Sequence, residues 1–228
     1  MAKEFDYPKF TPDGVQYLTL DHGENSWMST VVYCMKPGEV RKFLFADQEQ
    51  AFLLMCGDVE FSWEDEKVRA VRKTFWDEGK GTCLLHVCKG IEVTVSAYAE
   101  TEIMWQATEN EREFPAKFYH PEEISNVVAG ADLCAGTCTR RVTTILDYSN
   151  APYSNLVIGE TYTEQGAWSG YPPHGHRQPE VYYYRTDKPQ GFGACFIGEE
   201  AYVIKDRSVS LLLDGKTHPQ ATAPGYRV

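Results

Sequence analysis

The chain has 228 residues, of which 43% are hydrophobic and 24% are charged. These proportions are typical of a folded globular protein and argue against disordered, collagen-like and coiled-coil chains. A chain of this length buries about 70% of the surface that its unfolded form exposes, so it can build a core without cross-links. The net charge of -11, with no basic run to offset it, argues against a nucleic-acid partner, because phosphate binding needs a concentrated positive patch.

The sequence also bears on the compartment and on the cysteines. It has no run of about 18 apolar residues, and its first residues lack the apolar segment of a signal peptide, so we expect a cytoplasmic protein without membrane contact. Seven cysteines form an odd set without a CxxC pair, which predicts reduced thiols. A zinc site that starts from Cys134 and Cys138 with His86 or His120 is disfavoured, because its spacing is loose.

Short apolar and β-branched runs, bounded by turn residues, recur along the first half of the chain. Residues 90–98 alternate between apolar and polar side chains, which is the period of a half-buried strand and excludes a helix there. Such short runs at near-regular spacing are typical of antiparallel sandwiches and barrels. The runs of this half are residues 15–20, 27–35, 51–56, 81–87 and 90–98.

The second half has the same short apolar and β-branched runs, and only residues 121–128 show a weak helical pattern. Residues 111–137 are richer in charge, Pro and Gly than their flanks, which is typical of a connection. We therefore expect an all-β protein of two related barrels: residues 1–106, a linker of residues 107–137, and residues 138–228. The strand-like runs of the second half are residues 138–148, 154–163, 180–186, 191–197, 201–205 and 208–213.

The segment WSGYPPHGHRQPEVYYYR, residues 168–185, carries the most informative motif. His174 and His176 are two apart, so on an extended chain both imidazoles project from one face, and Glu180 has the same parity. His218, after a later apolar strand, could add a fourth ligand. Three imidazoles and one carboxylate suit a single divalent ion such as Zn, Mn, Fe, Ni or Co, with open positions for substrate.

The other histidines are weaker candidates for metal ligands. His22 lies in the turn-like DHGEN, and His120 lies beside Pro121 in the predicted linker. His86 is on an apolar strand, where a hydrogen-bonded core histidine is the expected role. The sequence therefore predicts one metal site, in the second half of the chain.

The order of HxH, Glu, Gly191 and a later His resembles the metal-binding pattern of the cupin superfamily, whose fold is a small β-barrel or jelly roll. The fuller segments GETYTEQGAWSGYPPHGH, PEVYYYR, PQGFG and THPQATAPGY resemble the KduI/IolB family of sugar-acid isomerases, nearest to its 5-deoxy-glucuronate isomerase branch. The resemblance covers essentially the whole chain, with its specific motifs in residues 159–226. It implies a bicupin with metal only in the C-terminal barrel, bound by His174, His176, Glu180 and His218.

Two features depart from the family pattern. The stretch RQP between His176 and Glu180 is shorter than in many members of the branch, so the Glu180 assignment depends on the VYYYR that follows it. The family normally continues beyond APGYRV with an aromatic strand and a tail, whereas this chain ends at Val228. The resemblance therefore predicts a C-terminal barrel that is truncated at its end.

The resemblance implies conversion of 5-deoxy-D-glucuronate to 5-dehydro-2-deoxy-D-gluconate in inositol breakdown. This isomerisation moves a proton between adjacent carbons through an enediolate, and a divalent ion on the carbonyl and hydroxyl oxygens stabilises the developing charge. A placed side chain must move the proton. The candidates are Glu180, Tyr182 and Tyr184, and the sequence does not choose among them.

The substrate carboxylate needs a cation, preferably an arginine that binds it through two hydrogen bonds. Arg140, Arg141 and Arg185 lie on strands of the C-terminal half, and the TRRV segment fits the family best. Arg140 and Arg141 point to opposite faces, so at most one reaches a barrel interior. Gln190 in PQGFG is a further candidate for a hydrogen bond to substrate.

Other functions use a similar metal shell. The sister branch of the family acts on 5-dehydro-4-deoxy-D-glucuronate from pectin, and an Fe(II) dioxygenase would use similar ligands but consume O₂. A sugar-binding sensor would need no base and usually carries a DNA-binding helical module, which this sequence lacks. The expected partner is a small anionic sugar acid. Because bicupins often associate through strand edges, we also expect a homo-oligomer.

Overall fold

The structure is a computed structural model that describes residues 3–20 and 26–228. In these ranges the chain forms nineteen antiparallel strands, with a 3-10 turn at Pro121–Glu123 and a left-handed turn at Cys134–Gly136. The predicted all-β class is therefore confirmed. Within the described ranges, no helix has the length and apolar character needed to cross a bilayer.

The strands are β1 (Phe5–Asp6), β2 (Val15–Thr19), β3 (Ser29–Met35), β4 (Val40–Phe43), β5 (Gln48–Trp63), β6 (Glu66–Arg72), β7 (Leu84–Val87), β8 (Val93–Ala97), β9 (Thr101–Glu109), β10 (Lys117–Tyr119), β11 (Ser125–Ala129), β12 (Arg140–Leu146), β13 (Ile158–Thr163), β14 (Trp168–Ser169), β15 (Glu180–Tyr183), β16 (Phe192–Ile197), β17 (Glu200–Lys205), β18 (Val209–Leu212) and β19 (Gln220–Thr222).

The N-terminal half is organised around β5, which has 16 residues. The first part of β5 pairs with β7 and β9, and its second part pairs with β6 and β8. The strand bends at Gly57, where φ is +126° and a Cβ atom would lie 2.3 Å from the Thr101 hydroxyl oxygen, so only glycine fits. The bend folds the strands over a core rich in aromatic side chains, among them Phe43, Phe52, Phe61, Trp63 and Trp105.

The C-terminal half consists of three smaller sheets. Their strand orders are β14-β19-β16-β17, β1-β18-β15 and β11-β12-β13. The first two enclose a core of Phe5, Tyr184, Cys195, Ile197, Ile204 and Leu212. The third packs through Ile145, Leu146 and Ile158 on Leu53, Met104 and other residues of the N-terminal half, which joins the two halves by an apolar contact.

The halves exchange segments of chain. The first strand, β1, pairs with β18 of the C-terminal half in the register Phe5 to Ser210 and Asp6 to Val209. The predicted linker, residues 107–137, supplies β10 to the sheet of β7 and β11 to the sheet of β12. The predicted domain boundaries stay a prediction, and the strand pairing adds that segments from both sides of them are interleaved.

The weak helical pattern of residues 121–128 corresponds to a helical turn only at its start, and the helix is not formed beyond that turn. The 3-10 turn ends at Glu123, and Ser125–Ala129 forms the edge strand β11. The β-branched Val127 and Val128 favour a strand, and pairing with β12 supplies the backbone hydrogen bonds that a helix would otherwise provide.

A buried arginine also ties the halves together. The Arg72 side chain is fully buried and forms paired hydrogen bonds with Asp77, at 3.0 and 2.9 Å, and with Glu160, at 2.7 and 3.0 Å. Burial lowers the pKa of Arg72, but the two carboxylates outweigh it and hold this pKa above its ordinary value. Because Glu160 is on β13, this cluster fixes β13 against the loop that follows β6.

Candidate metal centre

The predicted ligands lie on two loops at one end of the C-terminal half. His174 and His176 are in the irregular segment between β14 and β15, and His218 is in the segment between β18 and β19. The HxH pair therefore lies in a loop and not on a regular strand. Glu180 is the first residue of β15, directly after the HxH loop.

Two glycines allow these loops to pack backbone against backbone. A Cβ atom on Gly175 would lie 2.0 Å from the carbonyl oxygen of Gly215, and one on Gly170 would lie 2.7 Å from that of His218. Both distances are shorter than any contact that a real Cβ atom makes. The absence of side chains at Gly170 and Gly175 therefore brings the HxH loop against the His218 loop.

The three imidazoles converge on one point. Their ring centroids are separated by 4.9 Å for His174 and His218, 5.2 Å for His176 and His218, and 6.2 Å for His174 and His176. One ring nitrogen of each lies within 4.8 Å of the others. His218 is buried and His174 is exposed, so the cluster lies at the mouth of the barrel and is open to solvent on the His174 side.

Backbone carbonyls fix the orientation of all three rings. Nδ1 of His174 lies 2.9 Å from the Pro172 oxygen, Nδ1 of His176 lies 2.8 Å from the Gln178 oxygen, and Nδ1 of His218 lies 3.0 Å from the Lys216 oxygen. A carbonyl oxygen only accepts, so each Nδ1 carries the proton and donates it. Each Nε2 is then left with a free lone pair, which is the form that binds a metal ion.

Glu180 completes the cluster with a carboxylate. Its Oε1 lies 3.1 Å from Nε2 of His176, and its Oε2 lies 3.5 Å from Nε2 of His218. The buried Oε2 of Glu180 and Nε2 of His218 make no hydrogen bond. Because the proton of each ring is on Nδ1, Oε2 of Glu180 and Nε2 of His218 face one another with lone pairs. A cation between these two atoms would accept both lone pairs. The residues therefore fit a divalent ion with three nitrogen ligands and one oxygen ligand.

The remaining histidines have other surroundings. His86 is buried and its Nε2 lies 2.6 Å from Oε2 of Glu49, which confirms the predicted hydrogen-bonded core histidine. His120 is exposed and its ring packs on Phe118. His22 lies outside the described residues. Among the residues that the structure describes, His174, His176 and His218 form the one group of three ligands suited to a metal, and Cys134 and Cys138 are not part of it.

Only one of the two candidate tyrosines borders the metal centre. The ring of Tyr182 is half-buried and lies 6.3 Å from that of His218. Tyr184 is 3% exposed, its hydroxyl lies 2.8 Å from that of Ser210, and its ring packs on Phe5, so it is a core residue. Burial raises the pKa of Tyr184 well above its ordinary value.

Two of the three candidate arginines bind carboxylates elsewhere. Arg141 donates to the side-chain oxygen of Asn126 at 3.2 Å and lies 3.6 Å from Glu78. Arg185 forms ion pairs with Glu102 and Asp206, so it belongs to a contact between the halves. These side chains are not available at the metal centre.

Arg140 is different because, among the described residues, it has no acidic partner within ion-pair distance. Its Nη1 donates to the carbonyl oxygen of Cys138 at 2.9 Å. Burial and the charge of Glu180 raise the pKa of Tyr182, and the positive charge of Arg140 opposes that rise. Gln190 is exposed in the turn before β16.

Sequence reasoning missed the residues that hold the loops in place. Gly175, between the two histidines, carried a signal, because a glycine there often marks a close backbone approach. The contact of Lys216 with Glu4 had no signal in the sequence that could have predicted it. Lys216 is two residues before His218, and Glu4 precedes β1, so this ion pair links the His218 loop to the start of the chain.

The chain is similar in sequence to proteins of one known family. A sequence model of the KduI/IolB family matches residues 8–228. The 5-deoxy-glucuronate isomerase of Geobacillus kaustophilus (strain HTA426) is 27% identical over 212 residues, which cover 86% of this chain and 74% of that protein. The enzyme of the same name from Bacillus licheniformis is 24% identical over 233 residues, which cover 93% of this chain and 82% of that protein.

Two solved structures illustrate the fold. An IolB-like protein from Salmonella typhimurium LT2 has a TM-score of 0.88 at 23% identity, covering 99% of this chain and 90% of its own. Oxalate decarboxylase from Lactobacillus farciminis has a TM-score of 0.61 at 9% identity, covering 100% of this chain and 85% of its own. At these identities the likeness concerns the fold alone, and it confirms the predicted bicupin class. Because the family model matches residues 8–228, the chain belongs to the KduI/IolB family.

Proposed function

We propose that this protein is a metal-dependent sugar-acid isomerase that converts 5-deoxy-D-glucuronate to 5-dehydro-2-deoxy-D-gluconate. The observation that carries the proposal is the convergence of three free Nε2 atoms and the Glu180 carboxylate at an open barrel mouth. The reaction is supported by membership of the KduI/IolB family and by the name of the curated relatives, 5-deoxy-glucuronate isomerase.

His174, His176, His218 and Glu180 would hold one divalent ion, and the donor set suits Zn, Mn, Fe, Ni or Co. Such an ion, when bound, acts as a Lewis acid toward the carbonyl and hydroxyl oxygens of the sugar. The exposure of His174 leaves this side open for the substrate. The buried His218 and the core beneath it exclude water from the opposite side.

Two side chains on β15 then divide the proton transfers. In an aldose-to-ketose conversion, one proton leaves C2 and one is added to C1, while another moves from O2 to O1. Glu180 is the carboxylate at the centre, and through the oxygen that does not hold the metal it would serve as the base for the carbon-bound proton. Tyr182, two residues along the same face, carries a phenol that is neutral at pH 7 and can donate to a substrate oxygen. Tyr184 lies below both and supports them by packing.

Arg140 is the residue that we assign to the substrate carboxylate. Arg141 and Arg185 already bind acidic or amide partners, whereas Arg140 donates to a backbone carbonyl and keeps further N–H groups free for a carboxylate. A guanidinium can bind a carboxylate through two parallel hydrogen bonds, which would also orient the sugar chain.

The test is a coupled assay with 5-deoxy-D-glucuronate, with the metal content measured beforehand and a chelated sample as control. We expect turnover that disappears on chelation and returns with a divalent ion. His218→Ala should lose both metal and turnover, whereas His120→Ala, which changes an exposed histidine away from the centre, should keep both.

Three outcomes would contradict the proposal. Turnover of 5-dehydro-4-deoxy-D-glucuronate alone would move the substrate to the sister branch of the family. O₂ uptake that accompanies conversion of the sugar would indicate a dioxygenase. Sugar binding without turnover, at one bound metal per chain, would indicate a sensor.

A further inference from the structure

The outer face of the sheet β14-β19-β16-β17 is almost entirely apolar. Cys195 and Ile197 of β16 are buried in the core between the sheets, so the alternate residues of this strand point outward. The strand register places the outward residues of the three neighbouring strands beside them. Phe192 and Val203 are 48% and 49% exposed. The outer face consists of Trp168, Phe192, Ala194, Phe196, Ala201, Val203, Lys205 and Ala221, and Lys205 is its one charged residue.

The corresponding sheet of the N-terminal half has a polar outward side. Its strand order, β6-β5-β8-β4, repeats the order β17-β16-β19-β14. Two cross-strand ion pairs lie on that side: Arg69 with Asp58, at 2.8 Å, and Lys67 with Glu60, at 3.6 Å. Such pairs are ordinary on a sheet that meets water. A contiguous exposed apolar patch is rare on a monomer and marks a binding surface. The outer face of the C-terminal sheet therefore has the character of an interface.

The relief of the outer face suits a second copy of itself. Trp168 stacks on Phe196, with ring centroids 5.8 Å apart, and the strand register places the small side chains of Ala194 and Ala221 beside these rings. Two sheets that pack face to face lie about 10 Å apart and interdigitate their side chains. The rings of one copy can therefore fill the hollows above the alanines of the other copy.

The charges at the two ends of the outer face also favour a second copy. Glu199 and Glu200 lie at the turn between β16 and β17, whereas Lys205 ends β17 and Lys188 precedes β16 at the opposite end. All four residues are exposed. When the strands of the two copies run antiparallel, a two-fold axis brings the acidic turn of each copy beside the lysines of the other. One surface is therefore complementary to itself in both apolar relief and charge.

We propose that two copies of this chain pack their outer faces against each other and form a two-fold symmetric dimer. Burial of the apolar side chains supplies the affinity, and the charged ends select the antiparallel arrangement. The contact is made by a sheet face, which differs from association through strand edges. The proposal rests neither on the metal centre nor on the proposed reaction.

Sedimentation equilibrium of the full chain tests the dimer. We expect the average mass to rise from that of one chain, 25.9 kDa, toward twice that mass as the concentration increases from about 1 to 100 µM. Val203→Lys buries an unpaired charge in each outer face of the dimer and should raise the dissociation constant about 30-fold or more. The matched control is Val71→Lys, on the outward side of β6, where Val71 is 58% exposed, and it should leave the dissociation constant unchanged. Both valines are exposed in the single chain, so neither substitution should change the urea midpoint of the monomer.

Carbodiimide cross-linking then locates the contact, because this reagent joins a carboxylate directly to an amine. In an equal mixture of isotope-labelled and unlabelled protein, we expect peptides that join Glu199 or Glu200 of one copy to Lys205 or Lys188 of the other. A chain that stays monomeric at the highest concentration would overturn the proposal. A dimer that Val203→Lys and Val71→Lys weaken equally would place the contact elsewhere and overturn it too, as would mixed-isotope cross-links found only outside the outer face.

Discussion

Replacing Gly175 with alanine tests whether the close approach of two backbones builds the metal centre. The added Cβ atom would lie 2.0 Å from the Gly215 oxygen, and real Cβ atoms keep at least 3.0 Å, so the loops must separate by about 1 Å or more. Metal sites hold their ligand distances within about 0.2 Å. Because His174 and His176 flank the substitution, both must move with the loop. We expect metal affinity to fall about 100-fold or more, at the upper end of the loss caused by removing an outer-shell partner.

Competition with a chromophoric chelator measures this affinity for Zn²⁺ or Co²⁺. The matched control is Gly166→Ala, in the turn before β14, where φ is +70° and a Cβ atom would meet nothing within 4 Å. The control strains the backbone by about 1–3 kcal/mol but leaves the loops in contact, so it should lower stability and leave metal affinity unchanged. A Gly175→Ala protein that binds metal as tightly as the parent would refute the reasoning.

Three further predictions concern the arginines and the first strand. Arg140→Ala should raise KM for the sugar acid by about 10-fold or more, because it removes a charge-assisted hydrogen-bonded pair. Arg141→Ala should leave KM near the parent value. Steady-state kinetics that show equal effects of the two substitutions on KM would exclude Arg140 from the site. Arg72→Met leaves the partly buried Asp77 and Glu160 without their cation and should destabilise the protein by about 3–5 kcal/mol in urea unfolding, so a loss below about 1 kcal/mol would contradict the role of the cluster. Phe5→Ala removes a ring that is 3% exposed and should cost about 3–5 kcal/mol, and an unchanged urea midpoint would show that β1 does not close the barrel.

Local patterns were enough to predict many of the strands and to single out three histidines that the fold brings together. The alternation of apolar and polar residues that predicts a strand over residues 90–98 corresponds to β8, in which Val93 and Val95 are buried. The same alternation predicts that Arg140 and Arg141 face opposite ways, and in the structure they donate to different partners, the Cys138 carbonyl oxygen and the Asn126 side chain. These features depend on neighbours in sequence, which a single sequence displays.

Contacts between distant segments could not be predicted in the same way. Arg185 looks like a candidate for substrate binding until the fold places it against Glu102, 83 residues earlier in the chain. The three tyrosines of β15 and its end differ only in which neighbours surround them: Tyr182 borders His218, Tyr183 donates to Gln16, and Tyr184 is in the core. Only the three-dimensional packing separates these roles.

The pairing of β1 with β18 imposes an order on biosynthesis. Phe5 leaves the ribosome early, but its partner Ser210 follows about 200 residues later, which takes roughly 10–40 s at ordinary rates of translation. During that interval the N-terminal strands from β2 to β9 can pair among themselves, because their partners are synthesised long before β18. The sheet of β1, β15 and β18, and with it the wall of the barrel beside His218, closes only after β18 has been synthesised. A growing chain therefore cannot assemble the full set of proposed ligands until His218 has been synthesised, so a metal ion would bind after that point.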